Sequence, residues 1–69
     1  MLFIKVDNKQ ILECSIIDGA IVVRIGDIDV SPFYRTYITD YLSVDHLINE
    51  LLNYTNDIII SNNIYDVLE

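Results

Sequence analysis

Apolar and polar positions alternate along the first part of the chain, and then the period changes. From Leu2 to Val6, Leu2, Ile4 and Val6 fall on one side of an extended chain, with Phe3 and Lys5 on the other. Asp7-Asn8-Lys9 is polar turn material. A second strand is expected over Ile11–Ile17, with Leu12, Cys14 and Ile16 on one face and Glu13 and Ser15 on the other. Asp18-Gly19 is a strong two-residue hairpin signal, and a third strand, Ala20–Ile25, follows.

Turn length and alternation together constrain the register. A two-residue loop at Asp18-Gly19 pairs Ile17 with Ala20, Ile16 with Ile21, Cys14 with Val23 and Leu12 with Ile25. The face with Ile16, Cys14 and Leu12 is wholly apolar. On the other face Glu13 meets Arg24, an opposite-charge pair, and a slip of one residue scrambles both faces. A three-residue loop at Asp7-Asn8-Lys9 places Ile4 opposite Leu12. Gly26-Asp27 suggests a further tight turn into a short strand, Ile28–Val30, which would set Asp29 beside Arg24.

After Ser31-Pro32 the apolar period lengthens. Ser is a good N-cap and Pro is favoured at the first helical position. Phe33, Tyr34, Tyr37, Ile38, Tyr41 and Leu42 form a helical stripe, although these residue types favour strands. The spacing predicts a helix over 33–42. A second helix is predicted over Ser43–Tyr54, where Val44, Leu47, Ile48, Leu51 and Leu52 recur at i, i+3, i+4, i+7 and i+8. Ser43 stands at its N-cap and Asp45 in its first turn. A single kinked helix across both segments also fits the stripes, but a cap at Ser43 favours two. Ile58–Ile60 reads as a short strand, and Ile64–Leu68 fits either a helical turn or a hairpin arm. The expected fold is α+β in a single domain over 1–69: an antiparallel β-meander of three to four strands, two helices packed on one face, and a short C-terminal strand.

Composition sharpens this picture. Hydrophobic residues make up 52% of the 69 positions, a high share for a chain near the lower size limit for a self-sufficient core. Part of that surplus is expected to be buried between chains, as in a homodimer. The one cysteine, Cys14, excludes an internal disulfide and reads as a core residue. Neither a secretory leader pattern nor an apolar run of membrane-spanning length is present, so the expectation is a cytoplasmic protein without a membrane partner. Abundant Ile, Asn and Tyr suggest a phage or bacterial source.

Charge is the most informative global property. The formal net charge is −7. Residues 1–35 hold all four bases and five acids, whereas residues 36–69 hold Asp40, Asp45, Glu50, Asp57, Asp66 and Glu69 and no Lys or Arg. Such a surface repels nucleic-acid backbones and attracts basic protein surfaces. It argues against direct nucleic-acid binding.

The chain lacks the patterns that carry common chemistries. Its single histidine, His46, has Glu50 one helical turn on, but a metal wants three or four ligands. Asp27-Ile28-Asp29 lacks the remainder of a calcium loop. Gly19 and Gly26 are isolated turn residues, not a phosphate cradle, and there is no nucleophile elbow. The expectation is therefore no enzyme, no catalytic residue, no metal and no cofactor. Five tyrosines remain, and tyrosine is enriched at protein interfaces. The expected partner-binding residues are Tyr34, Tyr37, Asp40, Tyr41, Asp45, Asn49, Glu50 and Asn53. They suggest a small acidic inhibitor of a basic, nucleic-acid-acting partner, of antitoxin, immunity or phage counter-defence type. The alternative is a self-assembling structural or scaffold protein.

Overall fold

The computed structural model describes residues 1–28 and 30–68, with the backbone alone described over 30–34. Seven elements follow in order: β1 (Leu2–Val6), β2 (Gln10–Ile17), β3 (Ala20–Asp27), β4 (Val30–Thr39), α1 (Val44–Leu52), β5 (Ile58–Ser61) and α2 (Ile64–Leu68). The strands form one antiparallel sheet in the order β4-β3-β2-β1-β5. The fold is α+β.

The hairpins follow from their turn residues. Asp18 and Gly19 have φ of 51° and 80°, the doubly left-handed backbone of a type I′ turn, whose twist matches that of the strands it joins. Across it Ile17 pairs with Ala20, Ile16 with Ile21, Cys14 with Val23, Leu12 with Ile25 and Glu13 with Arg24, as the sequence pattern requires. At the first turn Asp7 and Asn8 are also left-handed, at 53° and 54°, and the Lys9 amide donates to the Val6 carbonyl at 3.0 Å. Ile4 then falls opposite Leu12.

The third hairpin differs from expectation. β3 runs on to Asp27, which pairs with Val30, and a register irregularity lies between Ile25 and Asp27. The turn therefore falls two residues later than Gly26-Asp27. Asp29 lies outside the described residues, and the β4 residue opposite Arg24 is Thr36.

The largest correction concerns 33–42. This segment is not a helix, separate or continuous with the next. Residues 33–39 belong to β4, ten residues long, which pairs along β3, and 40–42 lie in the connection to α1. Two physical reasons account for this. Its Tyr, Ile, Phe and Thr side chains suit a pleated strand, where β-branched and aromatic groups lose little rotamer freedom. The outer edge of β3 also offers backbone partners that an isolated helix would not use. As an edge strand exposed over Arg35–Ile38, β4 needs no clean apolar–polar alternation, so the period that identifies a half-buried strand is absent. Pro32 is tolerated because an edge strand can spare one amide.

Of the two helices expected on one face only α1 forms, and it and α2 lie on opposite faces of the sheet. Between β4 at one edge and β5 at the other, the chain must cross the sheet. It does so over the face carrying Ile4, Leu12, Cys14, Ile21 and Val23, on which α1 sets Leu47, supported by Val44, Ile48 and Leu51. Ser43 caps α1, its hydroxyl accepting from the His46 amide at 3.2 Å. The α1 exit is tied to the first hairpin: the Asp7 amide donates to the Asp57 carbonyl at 2.9 Å, and the Thr55 hydroxyl donates to the Asp7 carboxylate.

After β5 the chain turns to the other face. There α2 buries Val67, at 0% exposure, against Phe3 and Ile11. Asn63 initiates this short helix by accepting from the Tyr65 amide at 3.0 Å, and the Ser61 hydroxyl donates to Asp66 at 2.7 Å. Phe3 and Ile4 are adjacent in β1 and so point to opposite faces, which separates the two apolar clusters. Glu13 is buried on the α2 face and paired with Arg24, Nη1 to Oε1 3.2 Å.

Candidate functional site

α1 covers the middle of its face but not the β3–β4 side, and a groove remains there. Val6, Gln10, Leu12, Val23, Ile25, Tyr37, Thr39, Tyr41, Leu47 and Leu51 line about 270 Å³. The floor is the apolar row set by the hairpin register. One wall is Leu47 and Leu51 of α1, and the other is the end of β4 and the connection that follows it.

The rims are more polar than the floor. On β4 the Arg35 guanidinium donates to the Tyr37 hydroxyl at 2.9 Å, and the Thr39 hydroxyl donates to the Ile21 carbonyl at 3.0 Å. Tyr41 meets the His46 imidazole edge-on, with ring centroids 5.0 Å apart and planes inclined by 76°. His46 Nε2 lies 3.7 Å from Glu50 Oε1, one helical turn further along. Tyr41, which lines the groove, thus connects through His46 to Glu50. With Leu47 directed at the sheet and about 100° per residue, Glu50 sits about 60° away on the groove side of α1.

The expected site residues divide into two groups. Tyr37 and Tyr41 line the groove, Glu50 borders it through His46, and Asp40 is exposed in the connection beside Tyr41. Asp45, Asn49 and Asn53 are exposed. Asp45 and Asn49 lie about 160° and 200° around α1 from Leu47, on the outer face, and Asn53 is the C-cap. The structure therefore does not gather all eight residues into one surface. The side chain of Tyr34 lies outside the described residues.

The sequence pattern places Leu12, Val23 and Ile25 on one apolar face, and they form the groove floor. The hairpin register had already aligned them. Their exposure to a groove depends on how far α1 extends across the sheet, which no local pattern specifies. His46 was missed as a rim residue because its ring partner, Tyr41, was placed on a helix that does not form.

Cys14 is buried, and burial, reinforced by the neighbouring Glu13 charge, pushes its thiol from an ordinary 9.0 up to about 11. It is a core thiol with little thiolate character. Among the described residues, no three His, Cys, Asp or Glu side chains come together as a metal site would need. No helix among them is long and apolar enough to cross a membrane. The site is thus an apolar, tyrosine-edged groove on an α+β domain. Comparison with known proteins finds no matching family model, no matching curated protein and no matching solved structure.

Proposed function

We propose that this chain is a small acidic protein-binding module that seats a short segment of a basic partner in the groove between α1 and β4. The observation that carries this reading is the convergence of Tyr37, Tyr41, Leu47 and Leu51 on one apolar groove, with Glu50 reached through His46 beside Tyr41. The groove's size favours a partner side chain or two over a free metabolite, because small-molecule sites usually enclose roughly 300–1,000 Å³. Tyrosine rings supply rigid contact area, and their hydroxyls stay at the wet rim. Glu50, linked to Tyr41 through His46, and the exposed Asp40 beside Tyr41 would attract a basic surface to this side of the chain and accelerate encounter. Proteins that act on nucleic acids present such basic surfaces. Covering one with an acidic domain would inhibit it without any catalytic step.

The test is a pull-down with the tagged chain from a bacterial lysate treated with nuclease and washed at rising salt. The expected result is a basic nucleic-acid-acting protein retained at low salt and released at high salt. Asp40→Lys with Glu50→Lys should weaken capture at least about tenfold, because each rim charge reversal turns attraction into repulsion. Capture that is indifferent to both salt and charge reversal would overturn the electrostatic part of the proposal. Capture unaffected by Tyr37→Ala and Tyr41→Ala would remove the groove.

A further inference from the structure

β4 is the long open edge of this sheet. It spans ten residues, and β3 is its only neighbouring strand, whereas the opposite edge, β5, spans four. An unpaired edge presents a row of backbone donors and acceptors that templates another strand. Protective features are few here. Residues 30–39 contain one proline, Pro32, and one charge, Arg35, and no lysine.

Charge distribution points to the occupant of this edge. The chain carries −7 overall, so two copies repel at most approaches. Residues 30–39 are the longest stretch without an acid, and they form the open edge. Among the exposed apolar side chains, one lies on this edge and another two strands away. Ile38 is 77% exposed and Ile17 is 55% exposed. Ile38 pairs with Val22, and Ile17 with Ala20, so alternation places both isoleucines on one face. α2 covers the other end of that face, over Phe3 and Ile11.

We propose that two copies of this chain pair through β4, antiparallel about a two-fold axis perpendicular to the sheet. The register is constrained. Arg35 opposite Arg35 of the second copy would set like charges face to face, which is destabilising. An axis at Tyr37 instead places Arg35 opposite Thr39 of the second copy, on the same face, and keeps the two arginines apart. Ile38 then falls opposite Thr36, and its exposed side chain is covered at the seam. Such a pair has closed two-fold symmetry, covers 35–39 of each β4 and leaves 30–34 and the short β5 edges open. Tyr37 and Thr39 border both the groove and the seam, but Ile38 and Ile59 do not line the groove, so variants at these two positions test the pairing separately from the groove's occupant.

Sedimentation equilibrium of the full chain from low micromolar to millimolar concentration tests it, together with amide hydrogen exchange at both extremes. The expected result is a monomer–dimer equilibrium with added protection confined to residues 35–39 at high concentration. Ile38→Lys should weaken association at least about tenfold, since it replaces a covered apolar side chain with a charge in both copies. Ile59→Lys, at the β5 edge, should leave association unchanged. Circular dichroism confirms that each variant is folded, and the concentration-dependent exchange of the unaltered chain provides a reading that needs no variant. A monomer at millimolar concentration would overturn the proposal. So would a dimer that Ile59→Lys disrupts and Ile38→Lys does not.

Discussion

Leu47→Ala tests how α1 meets the sheet. Leu47 is 6% exposed and is the one fully buried residue of α1, in contact with a cluster that includes Ile4, Leu12, Cys14 and Val23. Core Leu→Ala changes cost about 2–5 kcal/mol, the spread reflecting how much cavity remains. Leu47 also borders the open groove, so part of the vacated volume joins space already open to solvent. The expected cost therefore lies in the lower half of that range, at about 3 kcal/mol. A 69-residue domain has roughly 3–10 kcal/mol of total stability, so this single change removes a large share of it. The melting temperature should fall by about 15–20 °C, since a domain of this size loses roughly 4–8 °C per kcal/mol. Leu52→Ala is the matched control. Leu52 belongs to the same apolar stripe in sequence but is 47% exposed, and alanine has the better helix propensity, so its cost should stay below about 1 kcal/mol. Urea unfolding followed by circular dichroism, at low micromolar concentration to avoid association, gives both values. Equal costs for the two variants would refute the orientation of α1 and, with it, the groove.

Two further predictions concern the ends and the interior of the fold. Ser43→Ala removes the hydroxyl that accepts from the His46 amide and should cost about 1 kcal/mol, read by the same unfolding assay, whereas Ser43→Asp should retain most of the stability. Cys14 should react with a thiol reagent only at the rate of unfolding near neutral pH. Because its folded thiol titrates near 11 against an ordinary 9.0, the folded state holds the proton more tightly. Its contribution to stability is therefore complete below about pH 9 and declines as pH rises towards 11 and beyond. Cys14→Ala should flatten that decline in a pH series of unfolding midpoints, and an unchanged slope would remove Cys14 as its source.

Local order was legible in the sequence wherever two adjacent rules agreed. Asp18-Gly19 specified a turn whose hand matches strand twist, and the apolar alternation on either side of it admitted one register, so five cross-strand pairs followed from the pattern alone. Ser43 and the stripe from Val44 to Leu51 specified α1 for a similar reason: the cap and the period coincide. The strand at Ile58 was legible from β-branching alone. Ile64–Leu68 fitted two structures equally well, and the Asn63 side chain, by capping the Tyr65 amide, selects the helix.

Tertiary structure decided the rest. Over 33–42 the two signals conflicted, helical spacing against strand propensity, and the open edge of β3 resolved the conflict by supplying backbone partners. That one element moved Tyr37 and Tyr41 from a helix stripe to the wall of a groove. It also dispersed the expected binding residues, leaving Asp45 and Asn49 on the far side of α1. Likewise, no local pattern could assign the helices to opposite faces. The assignment follows from β5 pairing with β1 at the far edge, which sends the α1 connection across one face and leaves the other for α2. Periodicity reports which side of an element is buried. It is silent about which partner buries it, because that depends on pairings between residues far apart in the chain.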